Sequence, residues 1–127
     1  STFSYLTMMS PDSDAYSLIP QPRWTNSISA RFEMKSKFRI DNVVLQHAYY
    51  LPQQTVSPFE TPSVDYSLLD LGVQCSFASS VPVQLQFGVR NLTNTSYINH
   101  LSRLKTLGLE NMGRSYYVKL VINLNFK

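Results

Sequence analysis

From Tyr116 to Phe126 the chain alternates: Tyr116, Val118, Leu120, Ile122, Leu124 and Phe126 occupy every second position. Between them stand Tyr117, Lys119, Val121, Asn123 and Asn125, a mostly polar set. A period of two sends successive side chains to opposite faces of a β-strand, so the run reads as one strand, about residues 114–126, with one continuous apolar face. Such a face must be covered. A membrane barrel covers it with lipid and turns the other face to a polar lumen, whereas a soluble sandwich lays it on a packed core.

Composition favours the first cover. Hydrophobic residues make up 43% and charged residues 15%, against roughly 25% charged in ordinary soluble domains. No run approaches the roughly 18 apolar residues of a transmembrane helix. The mean hydropathy of −0.14 does not count against a membrane protein, because barrel strands carry one polar residue for each apolar one. Aromatics reach 13%, the kind of supply that interface girdles draw on. The net charge of +3 is scattered, with no basic block of the kind that binds nucleic acid.

At 127 residues the chain is at most one domain. A single cysteine, Cys75, excludes an internal disulfide framework and any site built on several thiolates. His47 and His100 are the only histidines, and no Asp or Glu spacing joins them into a metal site. No cofactor-binding motif, phosphate-cradling glycine loop or nucleophile constellation is present, so the sequence reads as a non-enzyme. The chain opens on Ser1 with no signal peptide, and Ser1 to Leu6 already reads as strand. The expectation is a processed or truncated product that begins in mid-architecture.

Five further two-faced runs precede the last one. They are expected near residues 2–9, 26–35, 38–51, 66–77 and 82–92, giving an all-β antiparallel meander of about six strands. In the third run the alternation slips near Asn42-Val43-Val44, which predicts a bulge. The tight turns at 35–38 and 78–81 alternate with long connections at 9–25, 52–65 and 93–113. Outer-membrane barrels show the same alternation of short periplasmic turns and long external loops. Six strands cannot close such a barrel when bacterial single-chain barrels have at least eight, and open edges are not tolerated in hydrocarbon. Other strands must therefore complete the sheet.

The residues also resemble a known family. V-x-N-L-x-N-x-x-Y at Val89 to Tyr97, N-H-L-S-R at Asn99 to Arg103, Leu107-Gly108, Gly113-Arg114 and the terminal strand resemble the C-terminal end of TonB-dependent outer-membrane receptors. I-P-x-x-R at Ile19 to Arg23 and P-F-E-T-P at Pro58 to Pro62 fit the same family, in a form similar to Bacteroidetes receptors of the siderophore, metal or cobalamin kind. The resemblance implies that residues 1–127 are the C-terminal part of a 22-stranded transmembrane barrel, multi-pass in the bacterial outer membrane. The N-terminal plug and its TonB-contacting segment are absent from the sequence. Implied partners are outer-membrane lipid, the remaining strands and plug, TonB acting through that plug, the barrel-assembly machinery and a surface lipoprotein. The implied assembly signal is Tyr116, Val118, Leu120, Ile122, Leu124 and Phe126, displaced by one position because Lys127 follows the final aromatic.

Candidate ligand contacts in the external loops are Arg23, Trp24, His100, Arg103 and Lys105. The cations suit an anionic ligand such as a metal chelate, and Trp24 suits stacking. The competing readings are a solvated loop for the charges and an interface girdle for Trp24. Alternative functions are a soluble ligand-binding β-sandwich module and a small non-transporting outer-membrane barrel.

Overall fold

The computed structural model describes residues 1–5, 19–32, 36–77 and 82–122. They form one six-stranded sheet made of β1 (Thr2–Ser4), β2 (Arg23–Arg31), β3 (Phe38–Tyr50), β4 (Tyr66–Phe77), β5 (Val83–Arg90) and β6 (Ser115–Ile122). Spatial order follows chain order, and each strand pairs antiparallel with the next. The only helical element among the described residues is a single 3₁₀ turn, Lys105–Leu107.

The strand at 66–77 falls where its alternation places it. β2 begins three residues before the expected 26, because Arg23 pairs with Tyr50 and Trp24 with Tyr49 at the far end of the thirteen-residue β3. The expected strand positions 6–9, 33–35 and 123–126, which include Leu124 and Phe126, lie outside the described residues.

The bulge is in β3. Ile40 pairs with Cys75 and Asn42 with Gln74, so Asp41 is the extra residue, one position before the predicted slip. Two consecutive residues of β3 thereby turn to the same face. The Ser76 hydroxyl holds the bulge: it donates to Asp41 Oδ1 at 2.9 Å and accepts from Arg39 Nε at 3.3 Å.

Register then sorts the whole sheet, because paired residues share a face. One face carries the rows Ile28–Leu45–Leu71–Val89–Tyr116, Ala30–Val43–Val73–Phe87–Val118 and Ile40–Cys75–Leu85–Leu120, closed off by Phe38–Phe77–Val83–Ile122. The opposite face carries Ser27–Gln46–Asp70, Arg31–Asn42–Gln74–Gln86–Lys119 and Arg39–Ser76–Gln84. On β4 the apolar stripe from Leu69 to Phe77 spans eight residue steps, or about 27 Å along the strand. With a tilt of about 40°, that is roughly 20 Å of depth, against an apolar band of about 25 Å in membrane barrels.

Rings mark both limits of the stripe. Phe38 and Phe77 meet with centroids 5.1 Å apart at one end. Trp24, paired with Phe3 and Tyr49, stands at the other. His47 shares a 2.7 Å hydrogen bond with Ser67, and Tyr49 donates to Asp65 at 2.9 Å. The apolar face thus becomes polar at that end.

The described residues make a single layer. Ile19, Tyr66 and Cys75 are their only buried apolar side chains, and no large side chain is fully enclosed. On the apolar face Ile28 is 72% exposed and Val118 74%. Among the described residues β1 and β6 each pair with one neighbour and not with each other.

Candidate functional site

Residues 19–22, the β3–β4 loop (51–65) and the β5–β6 loop (91–114) gather at one end of the sheet, because β3 and β5 end there while β2, β4 and β6 begin there. Backbone groups in these segments must find partners outside the ladder, and side-chain amides supply them. Gln21 is buried, and its Nε2 donates to the carbonyls of Leu51 and Val64, each at 3.0 Å. Gln53 Nε2 reaches the carbonyl of Ile19 at 3.2 Å, and Gln53 and Ser63 form an isolated bridge across their loop.

The NLTNTSY segment is folded by its own asparagines. Asn91 and Asn94 both adopt positive φ, 51° and 55°, a conformation that asparagine tolerates better than most residues. Asn91 donates its backbone N–H to Asp70 Oδ1 at 2.8 Å, and its side chain both accepts from Thr95 N and donates to Thr95 O. Asn94 Oδ1 accepts the backbone N–H of Arg114 at 2.9 Å. A Cβ on Gly113 would stand 2.7 Å from that same oxygen, so a larger residue there would displace the Asn94 side chain from its bond to Arg114. Tyr97 stacks on Tyr66, centroids 4.6 Å apart, and Tyr66 stacks on Tyr50 at 4.4 Å.

The β3–β4 and β5–β6 loops are fastened together by a compact polar cluster. His100 is buried, its side chain 1% exposed. Its Nδ1 lies 2.8 Å from Ser63 Oγ and 3.0 Å from Lys105 Nζ. The Lys105 ammonium also donates to Ser63 Oγ at 2.6 Å and to the carbonyl of Thr61. Glu60 Oε1 stands 3.9 Å from His100 Nε2, and Glu60 Oε2 accepts the backbone N–H of Ser57. With donors converging on Nδ1, the imidazole is held neutral with its proton on Nε2, facing Glu60. Burial, then the Lys105 charge, push the His100 pKa below its usual value, and Glu60 opposes them. Burial likewise lowers Lys105, offset by Glu60. Ser63, His100 and Glu60 are residue types of a hydrolytic triad, but the Ser63 hydroxyl is buried and already bonded to Lys105 and His100. In this geometry the cluster joins loops rather than presenting a nucleophile.

Beside the cluster opens a cleft of about 340 Å³, lined by Ser4, Gln21, Arg23, Tyr50, Asn99 and Leu101 among others. A guanidinium, a tyrosine ring and side-chain amides meet there, a set suited to a planar or anionic ligand.

The five candidate ligand contacts do not converge. Arg23 lines the cleft. Trp24, its neighbour in β2, lies on the opposite face, half-exposed in the row of Phe3 and Tyr49. His100 and Lys105 come together inside the loop cluster, and Arg103 is exposed on the loop surface. Of the residues implied as assembly signal, Tyr116, Val118, Leu120 and Ile122 share the apolar face of β6. Sequence reading missed Gln21, Ser63 and the Tyr50–Tyr66–Tyr97 stack. The partners of these side chains are sixteen or more residues away in the chain, and no period announces them.

No protein-family model, curated protein or solved structure matches the chain.

Proposed function

We propose that this chain is the C-terminal six-strand segment of the barrel of a TonB-dependent outer-membrane transporter, which imports a scarce ligand such as a siderophore, a metal chelate or cobalamin. The carrying observation is the single-layer antiparallel meander whose register sends apolar and polar residues to opposite faces, with aromatic rings at both limits of the apolar stripe. Lipid is the cover that such a face fits. A sandwich needs a second packed layer, whereas the described residues form one. The two unpaired edges support a larger sheet, since hydrocarbon does not tolerate open edges. The motifs that carry the family resemblance also meet in space: Asn94 with Gly113-Arg114, and the Pro58–Pro62 segment with His100 and Lys105.

The test is uptake. Cells producing the full-length source protein in their outer membrane are assayed with radiolabelled cyanocobalamin and a panel of ferric siderophores, with and without TonB. Accumulation of one of these that depends on both the protein and TonB is expected. Accumulation indifferent to the protein or to TonB would contradict the proposal.

A further inference from the structure

We propose that His100, Ser63 and Lys105 form an acid-released latch that fastens the β5–β6 loop onto the β3–β4 loop and thereby fixes one wall of the adjoining cleft. The latch has two halves. Ser63 and the Thr61 carbonyl belong to the β3–β4 loop, whereas His100 and Lys105 belong to the β5–β6 loop, and four hydrogen bonds join the set. The three donor positions of the Lys105 ammonium meet three acceptors: Thr61 O, Ser63 Oγ and His100 Nδ1. Asn99 and Leu101, which flank His100 in the chain, line the cleft. Asn99 also donates to the Tyr66 hydroxyl at 3.5 Å. Release of His100 therefore frees the cleft wall.

The latch closes only while Nδ1 is an acceptor. Placing a proton there turns it into a donor 3.0 Å from an ammonium that is also a donor. It also leaves two positive charges adjacent, one of them on the buried His100 ring. The charged groups facing His100 are Lys105 from its own loop and Glu60 from the opposite loop. Glu60 favours the imidazolium, but at 3.9 Å it makes no hydrogen bond with His100. Burial and Lys105 hold the latched pKa below the roughly 6.5 of a free imidazole. A depressed histidine pKa stabilises the closed form above about pH 6.5, and that stability is lost as pH falls below it, because the released side chain takes up the proton more readily.

The experiment is hydrogen exchange on the full-length protein in mild detergent, with amides of residues 97–111 followed from about pH 8 to about pH 5 and corrected for intrinsic exchange. Protection at Asn99, Leu101 and Asn111, whose N–H groups are bonded within this loop, is expected to fall about tenfold across that span in the wild type. Protection in β4 should stay constant. In His100→Gln the pH dependence should vanish. An unchanged pH response in that variant, or a flat wild-type profile, would overturn the latch. Should the variant not fold, NMR titration of the wild-type ring decides: a His100 pKa below 6.5 supports the latch, and one at or above it overturns it.

Discussion

The Tyr117 ring crosses the polar face of the sheet above two glycines, and this contact explains why the fourth and fifth strands carry gaps in otherwise side-chain-bearing rows. Val44, Gly72, Gly88 and Tyr117 lie in one register row across β3 to β6. A Cβ on Gly88 would sit 2.6 Å from the Tyr117 hydroxyl oxygen, and one on Gly72 3.1 Å from it. The Arg90 guanidinium lies over the same ring, 5.5 Å from its centroid. A ring laid over glycines replaces the cross-strand contacts that they cannot make. Gly88→Ala should therefore overpack the row and destabilise the protein by about 1–3 kcal/mol. Combined with Tyr117→Ala, the cost should be less than additive, because the second change removes the ring, although the Leu71 carbonyl oxygen still crowds the new Cβ. A urea-unfolding double-mutant cycle on the full-length protein reads this coupling, and strictly additive losses would contradict the contact.

At the scale of the strand, the face decides what a substitution costs. Leu120→Lys and Phe87→Lys place a charge on the apolar face, at an expected loss of about 2–4 kcal/mol near mid-depth if that face meets lipid. Gln86→Lys falls in the polar row between Gln74 and Lys119 and should be mild. Equal losses on both faces, measured by unfolding in detergent, would reject the assignment. This two-facedness was legible in the sequence, because alternation is a local signal and long strands repeat it: 66–77 was placed residue for residue, and the bulge fell one position from its predicted site. The start of β2 was not legible. Arg23 and Trp24 follow two prolines with no alternation of their own, and they are drawn into the sheet by the length of β3. The candidate site was legible only in part. Its cations were visible as residue types, yet nothing local shows that Lys105 turns inward to His100 and Ser63, or that Arg23 and Trp24, as strand neighbours, face apart.

At the scale of the molecule, one layer of sheet has two faces and two edges to account for. The polar face carries Arg23, Arg31, Arg39, Arg90 and Lys119 against Asp41 and Asp70 among the described residues, a surface that suits water or a polar occupant. The apolar face keeps Val118, Tyr116, Leu120 and Ile122 at least half exposed, an unusually contiguous apolar surface for a soluble monomer. Under the proposed function, lipid on one side and a lumen on the other would answer both, and further strands would answer the edges. The proposed function requires that alternate residues of β6 meet hydrocarbon. Nitroxide labels at positions 118, 119, 120 and 121 of the full-length protein, with Cys75→Ser as background and the protein reconstituted in phospholipid bilayers, test it directly. Oxygen and a water-soluble nickel chelate report the two environments by electron paramagnetic resonance. Labels at 118 and 120 are expected to collide with oxygen and to be shielded from nickel, while those at 119 and 121 are far less accessible to oxygen; nickel reaching 118 and 120 as readily as 119 and 121 would overturn the lipid-facing assignment.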